Sequence, residues 1–390
     1  MVDKKTIEEL LTRGVERVYP DKDTLETVLM SGKKIKLYYG IDPTGSTLHL
    51  GHLVQLLKLK KFQDLGHEVI ILIGDFTAQI GDPTDKQATR KPLTHKQVLE
   101  NASGYKEQIS KILDLKKSNI NFLHNAKWTN KLTPEDMLEL ASHFTVSNLL
   151  TRDMFQERIK ASREVYVHEF LYPIFQAYDA VTMDVDLQIG GNDQMFNMLA
   201  GRDLMKRKKH KEMFVLTTKL LIDPTGKKMG KTEGNMITLN DGADNMFGKI
   251  MSWNDSLIEN GFELCTNVDL STIKKDQNPR DLKMKLAYEI VKIYHGEKKA
   301  QEAEENFVNT FQKKEIPEEM EEIKAQSGEL LSEVLVKNKV LSSKGEWRRL
   351  ILGNAIHDLS KNQNITDVDL KISENLTLKI GKKRFVKVLV

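Results

Sequence analysis

Two histidines, His49 and His52, stand three residues apart on either side of Gly51 in the run KLYYGIDPTGSTLHLGH, residues 36–52. On a helix that spacing turns both imidazoles to one face, where they can donate to the oxygens of a phosphate. A zinc half-site is the other chemistry for such a pair, but the chain has a single cysteine, Cys265, and no further histidine at ligand spacing nearby. The residues before the pair favour the phosphate. Ile35 to Tyr39 reads as a short buried strand, Gly40 to Thr47 as a loop, and Leu48 opens a helical pattern through Leu53, Leu56, Leu57 and Leu65. A strand, a glycine-bearing turn and a helix N-terminus in that order present unpaired N–H groups and a favourable dipole to an anion. A nucleotide would then set its phosphates against the histidines and its base over Gly51. Two ordinary histidines on a helix surface fit the same pattern, and the pair alone does not separate the readings.

Three further stretches carry chemistry. In the segment DVDLQIGGNDQ, an apolar run enters Gly190 and Gly191 and delivers Asn192, Asp193 and Gln194 to the start of the next helix. After the apolar run EVIILIG comes a polar loop with Asp75, Thr77, Asp82, Lys86 and Arg90. The segment DPTGKKMGKTEGN, residues 223–235, is a glycine- and lysine-rich loop whose cations can reach an anionic ligand.

These stretches need a scaffold, and the order of apolar runs predicts one. Strand, helix and strand in the first 75 residues begin a doubly wound parallel sheet, in which ligands sit at the carboxyl ends of the strands. Helix is expected over Thr94 to Leu113 with Thr94 as its cap, and a third strand over Asn119 to Leu123. Helices alone follow from Thr133 to Tyr178, an insertion between the halves of the sheet; the second half resumes at Asp184 and ends with a strand over Phe214 to Leu221. Residues 244–326 read as helical and strongly charged, with Pro279 opening a long helix. The remainder reads as a small unit of two helices and alternating strands. It gathers Lys344, Arg348, Arg349, Lys379, Lys382, Lys383, Arg384 and Lys387 into a basic patch with no acidic partner nearby.

Composition sets outer limits. With 390 residues and a net charge of +3, the chain can hold two or three cores, and nucleic-acid binding would come from local patches. One cysteine excludes a disulfide framework, and no apolar run reads as a signal peptide or a membrane span. The expected location is the cytoplasm.

Taken in order, HLGH, GGNDQ and KMGKT resemble the signature motifs of the class I aminoacyl-tRNA synthetases. The segments YYGIDPT, IGDPT, FLYPIFQAYDA, LQIGGNDQ and NPRDLKMKLAYEIVKIYHGE narrow the resemblance to the tyrosyl-tRNA synthetase family. The resemblance implies a Rossmann-like α/β catalytic domain over residues 1–240, with a connective and dimerising insertion at about 125–180. It also implies an α-helical domain on the anticodon side over 241–326 and a small α+β RNA-binding domain over 327–390. It implies that tyrosine is activated by ATP to tyrosyl-adenylate and passed to tRNA(Tyr), with Mg2+ accompanying ATP, no protein-built metal site and a homodimeric assembly.

Residue by residue, the resemblance assigns the substrate hydroxyl to Tyr38 and Asp179, and the ammonium to Asp82, Tyr172 and Gln176. It sets Gln194 near the substrate carboxylate. Gly40, Asp42, Thr44, His49, Gly51, His52, Gly191, Asp193, Lys228, Met229 and Lys231 fall on the ATP side. Thr44, His49, His52, Lys86, Arg90, Lys228 and Lys231 are implied as donors to the phosphates in the transition state. The sequence departs from the family at Gly230 and Thr232 in the lysine loop, at Asn192, at Tyr39, and at SKNQN in the C-terminal unit.

Overall fold

The computed structural model describes residues 3–83, 93–222, 236–274, 277–311, 320–361, 363–381 and 384–390. The chain forms two compact units, residues 1–303 and 304–390.

The first unit is built on a six-stranded sheet of order β1-β6-β5-β2-β3-β4, comprising β1 (Val15–Tyr19), β2 (Lys36–Ile41), β3 (Glu68–Ile73), β4 (Ile120–His124), β5 (Leu187–Gly191) and β6 (Phe214–Thr218). All neighbours run parallel except β1, which lies antiparallel on β6. The order reverses between β2 and β5, where Leu37 faces Leu187 and Tyr38 faces Gln188. Such a switch point opens a crevice at the strands' carboxyl ends. Strand β1 is not among the strands expected from the sequence, since only one short apolar alternation marks it.

Burial explains the central elements. Strands β3, β5 and β6 are covered on both faces, so they read as continuous apolar runs. The helix Leu50–Asp64 buries Leu53, Leu56, Leu59 and Phe62, and also Lys58, whose ammonium donates to the Leu10 carbonyl at 2.6 Å. Desolvation pushes that lysine down to about 7. Helices Val167–Met183 and Met195–Lys209 pack on the other side of the sheet, with Gly201 allowing its helix close to Ala180. Between the halves lie the short helices Pro134–Ser142, Val146–Leu149 and Asp153–Lys160. The single helix expected over Thr94 to Leu113 is two, His95–Ala102 and Tyr105–Ser110, broken near Gly104; Thr94 does cap the first, in a reciprocal box with Gln97. The unit continues as helices including Ala243–Met251, Ile258–Cys265 and Pro279–His295.

The second unit carries a five-stranded sheet, β7 (Glu321–Lys324), β8 (Ile356–Asp358), β9 (Gln363–Asn364), β10 (Leu376–Ile380) and β11 (Arg384–Leu389), in the order β7-β11-β10-β8-β9. Helices Leu331–Lys337 and Lys344–Leu352 close its core around Trp347, whose indole N–H donates to the Val368 carbonyl at 2.8 Å. The basic patch is less bare than its composition suggests, because Lys344 pairs with Glu333 at 2.7 Å and Lys387 with Glu322 at 3.0 Å. Lys382 and Lys383 lie outside the described residues. No helix among the described residues is long and apolar enough to cross a membrane.

Candidate active site

The crevice begins with β2. Its alternation buries Tyr38 almost completely, and the phenolic oxygen there has no hydrogen-bond partner. A buried hydroxyl without a partner costs about 1–3 kcal/mol, so it marks a place where something polar is meant to bind. Tyr172, Gln176 and Asp179 lie on one face of the helix Val167–Met183, at positions separated by one and two turns. Asp179 is buried and close enough to Tyr38 for its charge to act on the phenol.

Asp179 does not stand alone. The Trp128 indole N–H donates to Oδ1 at 2.7 Å, and the Asn125 amide donates to Oδ2 at 3.1 Å. Asn125 is itself fixed, since its Oδ1 accepts the Phe76 N–H at 2.8 Å and its Nδ2 also reaches Thr77 Oγ1 at 3.1 Å. The Thr77 hydroxyl donates onward to Asp42 Oδ1 at 2.7 Å, and the Tyr172 hydroxyl donates to Asp42 Oδ2 at 2.9 Å. One chain of bonds thus runs from Asp179 through Asn125 and Thr77 to Asp42. Burial pushes Asp179 up to about 8 against the lowering effect of Asn125 and Trp128, with Asp42 and Asp75 adding repulsion. Burial likewise pushes Asp42 up to about 7, opposed by Thr77 and Tyr172. Gly74 is required here: a Cβ at that position would lie 1.9 Å from Asp42 Oδ1.

Asp82 sits at the rim of the same pocket. Gln194 donates to its Oδ2 at 2.5 Å, and Arg152 approaches Oδ1 at 3.6 Å from beneath, packed against the rings of Phe155 and Phe196. Gln176 is half-buried, one turn along the helix from Tyr172. Tyr172, which the resemblance assigns to the ammonium together with Asp82 and Gln176, donates its hydroxyl proton to Asp42.

The histidines differ from the sequence expectation in one respect. His49 is the cap of the helix Leu50–Asp64, not a member of it, because its Nδ1 accepts the Gly51 N–H at 3.1 Å. His52 Nδ1 accepts the His49 N–H at 3.2 Å, and the ring centroids lie 4.0 Å apart. Each neutral ring that accepts at Nδ1 carries its proton on Nε2, so both present N–H donors suited to phosphate oxygen. The bareness of Gly51 makes room for the His49 ring, which a Cβ would meet at 2.8 Å. Gly40, expected to open the loop, is an exposed residue of β2, and Thr44 is exposed on the loop that follows the strand. At the second switch strand, Asp193 folds back over Gly191, where a Cβ would lie 2.4 Å from its carboxylate.

Lys86, Arg90, Lys228, Met229 and Lys231 lie outside the described residues. The sequence reading missed Asn125, Trp128 and Arg152; all three belong to segments without a repeating pattern, and only the position of Asn125 just after a strand could have drawn notice. Among the described residues no group of three or more His, Cys, Asp or Glu could hold a metal ion.

Comparison with known proteins yields consistent matches. The family described as tRNA synthetases class I (W and Y) matches residues 30–312. A tyrosine–tRNA ligase of Carboxydothermus hydrogenoformans is 43% identical, covering 98% of this chain and 97% of its own length. One from Thermotoga maritima is 39% identical over 97% of this chain and 96% of its own. Among solved structures, a C-terminally truncated mitochondrial tyrosyl-tRNA synthetase of Coccidioides posadasii superposes with a TM-score of 0.63 at 24% identity, covering 77% of this chain and 91% of its own. The Archaeoglobus fulgidus tyrosyl-tRNA synthetase complexed with L-tyrosine gives 0.61 at 21% identity, over 77% and 100%. At such identities the two superpositions speak for the fold alone.

Proposed function

The chain belongs to the class I tRNA synthetases of the tryptophan and tyrosine group, it is an ATP-dependent tyrosine–tRNA ligase, and we propose the following roles for its residues. The carboxylate of bound tyrosine attacks the α-phosphate of ATP, giving tyrosyl-adenylate and pyrophosphate, and the acyl group then passes to the 3′ end of tRNA(Tyr). The attacking group is already ionised, so the first step needs no protein base. It needs positioning and donors that bind the transition state more strongly than the ground state.

The observation that carries this reading is the buried Tyr38 hydroxyl without a partner, opposite a carboxylate held by two donors. A substrate phenol fills that gap: it donates its O–H to Asp179 and accepts from Tyr38. An indole would set mostly apolar surface against both, which favours tyrosine over tryptophan. Asp82, Tyr172 and Gln176 receive the ammonium, and Gln194 lies toward the carboxylate. Asp42, Gly40, Thr44, Gly191 and Asp193 hold the nucleoside and its ribose. His49 and His52 donate to phosphate through Nε2, joined by Thr44, Lys86, Arg90, Lys228 and Lys231. Mg2+ enters with ATP as part of the substrate. The groups described at the histidine turn are nitrogen and hydroxyl donors, unsuited to a resident hard cation.

Residues 1–240 are assigned to this chemistry, 241–326 to the anticodon side and 327–390 to further RNA contact. A homodimer through the inserted helices is supported by Leu138, Val146, Ile159, Tyr166 and Val167, large apolar side chains of that region that stand exposed. The cytoplasm, where translation enzymes work, is the assigned location. A structure with L-tyrosine bound tests the pocket. Its phenolic oxygen should lie about 2.5–3.0 Å from both Tyr38 Oη and Asp179, and a ring bound elsewhere would refute the assignment.

A further inference from the structure

The segment that leaves the lysine loop is bonded to the histidine turn. Leu50 N–H donates to the Ile237 carbonyl at 3.1 Å and Leu239 N–H to the Leu48 carbonyl at 2.9 Å, so that His49 and Thr238 face each other as an antiparallel pair. Ile237 and Leu239 are buried, which gives this stem a fixed face. Two backbone bonds are few for holding a register, and side chains reinforce them. Asp241 Oδ2 accepts the Thr238 N–H at 2.8 Å and the Lys249 ammonium at 2.7 Å, while Oδ1 takes the Asn245 amide at 3.3 Å. Lys249 also reaches the Met236 carbonyl at 3.4 Å, and Lys111 reaches the Leu239 carbonyl at 3.4 Å. The Asp241 side chain is only 11% exposed, although Lys249 is 34% exposed, so water screens this pair in part. A carboxylate that bonds an N–H and an ammonium at these lengths makes strong, charge-assisted bonds.

We propose that Asp241 is a positioning residue for adenylate formation: held by Lys249, it fixes the stem after the lysine loop against the backbone of His49. This rests on the functional reading above, in which Lys231 and the histidines serve the same phosphates. Lys231 is five residues before Met236 in the sequence. Among the described residues the stem is therefore the nearest anchored point to that lysine, and it is bonded to the turn that delivers His49 and His52. Asp241 touches no substrate on this account. Its effect is geometric, and a displacement of about 1 Å in a catalytic group can cost on the order of a hundredfold in rate.

Single-turnover formation of tyrosyl-adenylate and equilibrium tyrosine binding, measured on the full chain, test the proposal. Asp241→Ala should slow adenylate formation about ten- to a hundredfold and leave tyrosine affinity unchanged. Asp241→Asn keeps an oxygen for the Thr238 N–H but loses the charge facing Lys249, so it should lose less. Lys249→Met should resemble Asp241→Asn. In a Lys231→Ala background Asp241→Ala should cost much less than it does alone, because misplacing a loop that lacks its cation removes little. Equal losses in both backgrounds would overturn the proposal, as would a loss carried by tyrosine affinity or no loss at all. If Asp241→Ala does not fold, Asp241→Asn and Lys249→Met decide by the same criteria. If Lys231→Ala and His52→Ala form adenylate at the normal rate, the functional reading fails and the inference with it; if they are slow and the Asp241 variants are not, the inference alone fails.

Discussion

Replacing Asp179 by asparagine keeps the shape of the side chain and changes what it can accept, and the surrounding bonds allow the consequence to be worked out. Both carboxylate oxygens now accept, one from Trp128 and one from Asn125. An amide offers one acceptor oxygen, so its NH2 group must face one of those two donors. Asn125 cannot relieve the clash by turning over, because its own oxygen is engaged by the Phe76 N–H. Whichever way the new amide turns, a buried donor is left unpaired, and the substrate phenol loses a charged acceptor. A hydrogen bond to a charged group contributes about 1.5–3 kcal/mol, and a buried donor left unpaired costs about 1–3 kcal/mol. Only the part felt by the substrate counts toward activation, and taking it as about 2–4 kcal/mol gives a loss of roughly 30- to 1000-fold in kcat/KM for tyrosine. Phenylalanine has no hydroxyl to satisfy and should lose far less. Amino-acid-dependent pyrophosphate exchange with both substrates reads the ratio directly. A tyrosine-to-phenylalanine ratio that survives Asp179→Asn would mean that Asp179 does not face the substrate hydroxyl.

Other variants probe the rest of the pocket. In the chain without tyrosine Asp42 and Asp179 are raised from 3.8 to about 7 and about 8, so the folded chain keeps protons that the unfolded chain has released, until a bound phenol donating to Asp179 favours its charged form; without tyrosine, stability should therefore fall as pH rises from about 4 to about 8. Asp42→Asn and Asp179→Asn should each flatten that slope in denaturant titrations taken across the range, and parallel curves would refute the shifts. Gly74→Ala puts a Cβ 1.9 Å from the Asp42 carboxylate and 2.5 Å from the Thr77 hydroxyl. It should cost about 1–3 kcal/mol in urea unfolding and, if Asp42 holds the nucleoside as proposed, lower adenylate formation by more than it lowers tyrosine binding. Lys228→Ala and Lys231→Ala should leave tyrosine binding nearly intact and slow adenylate formation; a loss confined to tyrosine affinity, on the order of 2.7 kcal/mol, would remove them from the phosphate site.

The sheet was legible because its central strands are buried on both faces and so leave unbroken apolar runs, EVIILI above all. Strand β1 was not, since an edge strand needs only half a pattern and its partner β6 lies some 200 residues away; the paired Val15 and Thr218 show the separation. Local rules found the Thr94 cap and the helix opening at Pro279, yet missed the break near Gly104, where one glycine in a periodic run decides nothing by itself. In the site, short-range motifs brought out His49, His52, Asp193 and Gln194. The residues that orient Asp179 and Asp82 were invisible for a physical reason. Asn125, Trp128 and Arg152 reach their carboxylates across 51 to 70 positions of sequence, and only the folded chain puts them in contact.

The central claim is that a buried phenol hydroxyl and a buried carboxylate select tyrosine. Pyrophosphate exchange measured with each of the twenty amino acids in turn tests it most directly. Tyrosine should support exchange far above phenylalanine and tryptophan, by a ratio that can reach roughly 10⁴–10⁵ where a site is built to bond a hydroxyl, a range for which tyrosyl-tRNA synthetase is itself the known example. Exchange supported best by tryptophan, equally by phenylalanine, or by no amino acid would contradict the account.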